Sequence, residues 1–173
     1  QPWNVYVLSG DARDKLVNEA TSRYDQGKMD GQEYLVYPKE MPDWYKERRR
    51  AVGWAMYGAI GIEKGDTEKM MAQGRKNYEF FGAPVGIFIT VKNCVGPNGW
   101  GHVGHFIQNV CLLAIENGLA TCLQEAWAEL PKLVREHVDY PEDETLWCGI
   151  ALGYEDETDP VSYTHLRAHE TIA

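Results

Sequence analysis

At 173 residues the chain is long enough to bury a sizeable core as one domain, and 44% hydrophobic with 12% aromatic residues is the composition of a folded globular protein. A net charge of −9 and a pI near 5.0 argue against a nucleic-acid or anionic-membrane partner, because Lys and Arg form no wide basic face. A mean hydropathy of −0.45, without an apolar run near the ~18 residues of a bilayer span, argues against a membrane-crossing helix.

Trp3-Asn4-Val5-Tyr6-Val7-Leu8 alternates and is rich in branched and aromatic residues, so it predicts a strand closed by Ser9-Gly10. A helix follows, capped by Ser9 or Asp11, with Leu16, Val17 and Ala20 at helical spacing through about Tyr24. Residues 26–38 read as a loop on Gly27, Gly31 and Pro38. Pro42 then sits in the first turn of a second helix of about four turns, whose basic run Lys46-Glu47-Arg48-Arg49-Arg50 reads as a solvated face rather than a phosphate site. After Gly58, Gly61 and Gly65, Asp66 caps a third helix predicted to reach Phe81. The aromatics of this stretch, Trp44, Trp54, Tyr57 and Phe81, are expected in the core.

Residues 83–91 are nearly all apolar, the pattern of a central strand covered on both faces. From about Trp100 to Asn117 apolar residues cover most of the helical wheel, which predicts a helix sheathed by protein almost all round and stopped by Gly118. Residues 118–126 read as a turn with free backbone N–H groups, 129–138 as a short amphipathic helix, 141–144 as an exposed acidic turn and 145–154 as a further strand.

Gly99-Trp100-Gly101-His102-Val103-Gly104 fits a dinucleotide fingerprint, but Lys92 to Asn98 separate it from the strand, so a Rossmann-type NAD-binding fragment ranks low among the readings. His102 and His105 share a helical face without a supporting ligand pattern, and no metal site is assigned. No residue stands in the setting of an activated nucleophile; Cys122 has apolar neighbours and reads as inert packing. The four cysteines, Cys94, Cys111, Cys122 and Cys148, lack paired spacing and read as reduced thiols of a cytoplasmic protein.

Gln108-Asn109-Val110, Gly118-Leu119-Ala120-Thr121-Cys122 and Gln124-Glu125, with Gln1-Pro2-Trp3 before them and Cys148-Gly149-Ile150-Ala151-Leu152-Gly153-Tyr154 after, stand in the order of the FMN-dependent nitroreductase family. The sequence resembles that family from Gln1 to about Val161, which sets the expected domain at 1–161 with a foreign-looking tail at 162–173. The resemblance implies an α+β fold with an antiparallel-rich central sheet flanked by helices, assembled as a homodimer with FMN at the subunit interface. It implies that NAD(P)H reduces the flavin and that a small electrophile, such as a nitroaromatic or quinone, then collects the electrons in the same pocket. It also implies that no side chain is catalytic, which agrees with the lack of an activated acid or nucleophile, since the flavin carries the chemistry.

By the same resemblance the backbone around Leu123, Gln124, Glu125 and Ala126 lies along the flavin ring, and Gln1, Pro2 and Trp3 lie beneath the ring and its ribityl chain. The helical excursion between the first helix and the central strand is expected to cover the flavin. The family's basic phosphate-holding motif would precede Gln1, so the chain is expected to be N-terminally truncated. His165 and Arg167 lie near, but out of register with, the family's later basic residue. Poor FMN retention is therefore expected, since a phosphate without cationic partners forfeits charge-assisted hydrogen bonds. The alternative reading is a flavin- or ligand-binding protein without turnover.

Overall fold

The computed structural model describes residues 1–156 and residue 158. Along these residues run β1 (Trp3–Ser9), α1 (Gly10–Asp25), α2 (Asp43–Ala59), α3 (Thr67–Arg75), β2 (Val85–Lys92), α4 (Pro97–Glu116), β3 (Ala120–Gln124), α5 (Pro131–Val138) and β4 (Glu144–Gly153), with 3-10 turns at Lys76–Gly82 and Glu125–Glu129. The strands form one sheet in the order β1-β2-β4-β3, and every pairing is antiparallel. Gln1–Val36 and Arg75–Tyr154 make one compact unit that holds the whole sheet; Tyr37–Gly74 belongs to a second, with the described residues after Tyr154. The expected foreign tail, with His165 and Arg167, lies outside the described residues.

In the sheet unit the strand period of two sorts side chains onto two cores. Phe88 of β2 and Leu146 of β4 face α1 and α5, joining Leu8, Leu16, Tyr78, Phe80, Trp127 and Leu133. Ile87, Ile89 and Val91 of β2 face α4 instead and pack with Val103, Ile107, Cys148 and Ile150. As its apolar run predicted, β2 is covered on both faces, and it lies between β1 and β4.

One irregularity in this alternation matters for the site. Ile89 pairs with Cys148 and the next residue, Thr90, pairs with Leu146, so Trp147 is an extra residue in β4 without a partner on β2. Such a bulge shifts the parity of the strand. Leu146 therefore faces α1, whereas Cys148 and Ile150 face α4.

Several expectations are corrected. Residues 120–124 are not a turn but the edge strand β3, in register with β4 from Ala120 opposite Gly153 to Gln124 opposite Gly149. Glu144 does not sit in an exposed turn: it is 1% exposed and accepts hydrogen bonds from Asn4 Nδ2, Tyr6 Oη (3.0 Å) and Thr90 Oγ1, with Lys92 Nζ at 3.0 Å. Burial pushes its pKa up, but the hydrogen bonds from Thr90, Lys92, Tyr6 and Asn4 together outweigh that and hold it below the ordinary glutamate value. This cluster ties β1, β2 and β4 together at one end of the sheet.

The third helix stops at Arg75 rather than Phe81: a 3-10 stretch, Lys76–Gly82, follows, and within it Phe80 (φ 52°) and Phe81 (φ 50°) are both left-handed, with Gly82 at φ 81°. The kink drives the Phe80 ring over Gly86, where a Cβ would lie 2.3 Å from it. Phe80 stacks on Trp127 with centroids 4.8 Å apart, and Trp127 meets Phe88 edge-on at 5.1 Å. Phe81 is 42% exposed, against its expected burial.

α4 starts earlier than predicted, with Pro97 in its first turn, and ends ahead of Gly118 at φ 71°. Residues 99–104 thus lie inside the helix rather than in a strand-to-helix loop. With an antiparallel sheet beneath it, the Rossmann reading fails, since the phosphate turn needs a parallel βαβ unit. Nor is α4 sheathed all round within the chain, for Leu112, Leu113 and Ile115 are exposed.

In the second unit α2 follows Pro42, and none of its residues is buried. Trp44 and Trp54 are exposed and Tyr57 is half-buried, so the expectation that they form core is not met within this chain. Its basic run is exposed, as read from the sequence. Asp66 caps α3 by accepting the Lys69 N–H at 3.1 Å.

Candidate functional site

The bulge at Trp147 sets one wall of a cleft of about 320 Å³ beside α4. Gly104, Ile107, Gln108 and Cys111 line it from α4 at spacings that share one helical face. Trp147 and Cys148 face them from β4, and Leu123 and Glu125 from the end of β3 and the turn beyond. Consecutive residues of a regular strand point to opposite sides, so the extra residue is what lets Trp147 and Cys148 serve one wall.

Trp147 is fixed in several directions. Its carbonyl accepts the Tyr34 hydroxyl, and its ring meets Trp100 edge-on at 5.6 Å, with Tyr34 5.2 Å from Trp100. Burial, reinforced by the Glu125 carboxylate, pushes the Tyr34 hydroxyl above its ordinary pKa, so it stays protonated as the donor. Across the cleft Gly104 has no side chain, and a Cβ there would meet only the tip of Trp147 at 3.9 Å.

The chemistry of the lining is passive. Burial, then the charge of Glu125 and the neighbouring Cys111, push the Cys148 thiol up to about 12, so it is neutral and a poor nucleophile. Burial likewise raises the Cys122 thiol, in keeping with its reading as inert. Among the described residues neither Lys nor Arg lines the cleft. What the arrangement offers is a flat, mostly apolar slot beside an edge strand, and an edge strand carries N–H and C=O groups left unpaired by the sheet. A planar heteroaromatic ring such as a flavin's fits that donor set; a phosphate finds no cation there.

Of the sequence-predicted site residues, Leu123 and Glu125 line this cleft. The Gln124 side chain turns away: it is 1% exposed, its Nε2 donates to the Asn77 carbonyl at 2.7 Å, and its Oε1 is buried without a partner. Ala126 packs against the α1-side core, and its carbonyl accepts the Tyr78 hydroxyl at 3.1 Å. Gln1, Pro2 and Trp3 lie elsewhere. The Pro2 carbonyl accepts the Lys92 N–H at 2.9 Å, and Trp3 stacks on Phe106 with centroids 5.0 Å apart. Because β1 and β3 are opposite edges of the sheet, with β2 and β4 between them, these three residues do not join the cleft.

Sequence reasoning missed Gly104, Ile107, Cys111, Trp147 and Cys148 as lining residues. The first three were legible as the helical face shared with Gln108, a residue of the quoted motifs. Trp147 gave no signal, since a bulge depends on how two distant strands pair.

A model of the Nitroreductase family matches residues 1–154. The chain is 36% identical over 167 residues to a 4-nitrobenzoate reductase of Nocardioides sp. (strain LMS-CY), covering 94% of this chain and 67% of that protein. Its fold superposes on the FMN and NADPH-dependent nitroreductase NfnB from Sphigopyxis sp. strain HMH with a TM-score of 0.86 at 36% identity, covering 92% of this chain and 72% of that one. The FMN-dependent nitroreductase NfnB from Mycobacterium smegmatis, solved in complex with NADPH, gives a TM-score of 0.86 at 26% identity, over 94% and 72% of the two chains.

Proposed function

Because this chain belongs to the nitroreductase family, we propose that the cleft beside α4 seats the ring of FMN and that the protein passes electrons from NAD(P)H to a small electrophile such as a nitroaromatic or quinone. The observation that carries the reading is the slot itself: apolar walls from Ile107, Leu123 and Cys148, a floor relieved by Gly104, and an edge strand alongside. When bound, FMN supplies the two-electron chemistry. The chain's own residues position and shield it. Tyr34 and Trp100 hold the Trp147 wall in place; the buried Gln124 amide anchors the end of β3 to Asn77, so that the main chain of residues 123–126 presents a fixed edge. Keeping Cys148 as a neutral thiol removes a competing nucleophile from the slot.

Leu123, Gln124, Glu125 and Ala126 are thus proposed to serve the ring, Gln124 and Ala126 through their backbone. Gln1, Pro2 and Trp3 begin the strand that pairs with the end of β2; they lie three strand spacings, roughly 14 Å, across the sheet from β3 and are also displaced along it, Trp3 being level with Thr145 and the end of β3 with Gly149, so only the part of FMN beyond the ring could reach them. They are proposed to meet its ribityl side. The apolar outer face of α4, with Leu112, Leu113 and Ile115 exposed, supports assembly as a homodimer. The four cysteines are free thiols, which supports a cytoplasmic setting.

A second reading, flavin or ligand binding without turnover, draws on the lack of a Lys or Arg among the described residues that line the cleft. One experiment separates them. The purified protein is saturated with FMN and, with FMN kept in excess because its retention is expected to be poor, treated anaerobically with NADPH or NADH before 4-nitrobenzoate is added. Bleaching of bound flavin followed by recovery of the yellow colour is the expected result. Bound flavin that neither nucleotide bleaches favours the second reading, and no flavin uptake at excess FMN refutes the first reading and the flavin-binding form of the second.

A further inference from the structure

The Tyr37–Gly74 unit has an opening of its own. It is a groove of about 790 Å³ bounded by the strap Tyr37–Met41 and by one face of α2, where Lys46, Arg49, Arg50, Gly53 and Trp54 recur at helical spacing. Its charge runs against that of the chain: Lys39, Lys46, Arg49 and Arg50 line it with a single carboxylate, Glu40, in a protein of net charge −9. Lys46 is paired with Asp43 at 3.2 Å, whereas Lys39, Arg49 and Arg50 have no carboxylate partner among the described residues. Four cations gathered around one lining carboxylate, with only Lys46 paired, repel one another, and an anion relieves that repulsion.

The groove is also shaped for a ring. The Arg49 guanidinium lies over the Tyr37 ring, 4.0 Å from its centroid, a cation–π contact that still leaves its N–H groups for an oxyanion. In the middle of the lining face Gly53 leaves a flat floor, where a Cβ would meet nothing within 4 Å, although glycine weakens a helix interior relative to alanine. Trp54, 40% exposed, stands beside that floor as a stacking surface. A solvated basic helix face accounts for the charge but not for the strap, the stacked guanidinium or the glycine floor.

We infer that this groove binds an aromatic oxyanion: a planar ring lies over Gly53 against Trp54, and its phosphate or carboxylate is held by Arg49, Arg50 and Lys39. The inference rests on the oxidoreductase reading for its two candidate sources, the adenosine 2′-phosphate end of NADPH and a benzoate-type electron acceptor.

The test uses the full chain, isothermal titration and Trp fluorescence. Adenosine 2′-monophosphate and benzoate are compared with adenosine, benzamide and inorganic phosphate. At least one aromatic anion is expected to bind tenfold or more tighter than both its neutral counterpart and inorganic phosphate, and the tighter of the two identifies the source. Arg49→Gln with Arg50→Gln should weaken that binding at least tenfold. Gly53→Leu should abolish it with every charge in place, and both variants should keep the parent's circular dichroism and FMN uptake. Binding of neither aromatic anion, equal binding of inorganic phosphate, or variants that leave the affinity unchanged would each overturn the inference. Anion binding here without flavin uptake in the cleft would instead count against the oxidoreductase reading and leave the groove standing.

Discussion

Replacing Glu144 by alanine should destabilise the protein by about 3 kcal/mol at pH 7, more than its place after an acidic turn would suggest. The carboxylate is 1% exposed and is the common acceptor for Asn4, Tyr6 and Thr90. Thr90 is fully buried and Tyr6 half-buried, so neither hydroxyl regains water freely when the acceptor goes. Each loses a bond to an ionised group worth about 1.5–3 kcal/mol, offset in part because the variant no longer desolvates a carboxylate. Lys92 is partly exposed and can turn to solvent, so it adds nothing to this sum.

The pH dependence supplies an independent check. Because the folded-state pKa is depressed, the stabilisation is fully present above the unfolded value, near pH 4.3, and is lost as pH falls through the folded value. Urea denaturation of the parent and Glu144→Ala at pH 7 and at stepwise lower pH should show a gap that narrows as the carboxylate protonates. A gap under 0.5 kcal/mol at pH 7, or one that widens on acidification, would refute the reasoning.

Gly149→Ala should cost about 1–3 kcal/mol by overpacking, because its Cβ would fall 2.4 Å from Cδ1 of the fully buried Trp127; thermal melting measures this. Iodoacetamide at pH 8 should label exposed Cys94 readily and leave Cys148 unmodified in the folded protein, with peptide mass spectrometry as the readout. Leu113→Glu combined with Ile115→Glu should halve the mass seen by light scattering if α4 pairs two copies, and unchanged mass would send the interface elsewhere.

What the sequence disclosed was local or repetitive. The alternation of residues 3–8, the apolar run at 85–92 and the glycine after α4 each encode their element in a few neighbouring residues, and the ordered motifs carried the family. What it hid depended on partners far along the chain. Ala120–Gln124 reads as a turn until β4 lies beside it, and Glu144 reads as exposed until Asn4 and Thr90 converge on it. The kink that follows α3 was missed because nothing in Phe80 or Phe81 announces left-handed backbone; the nearby demand is the ring-sized gap above Gly86. At the site, Leu123 and Glu125 were legible from motif order, whereas Trp147 waited on a pairing offset between β2 and β4.

That offset is confined to a single residue. Beyond it the ladder is regular: Cys148 and Gly149 point to opposite sides, and Gly149 is the platform on which Trp127 rests. Ile89–Cys148 and Thr90–Leu146 are consecutive pairs, so deleting Trp147 would leave a regular ladder with Leu146, Cys148 and Gly149 on their present sides and would take away only the wall that Trp147 gives the cleft. The cleft can then be reshaped at this one strand position as well as at Gly104, Gln108 and Cys111 of α4 without disturbing how the strands count.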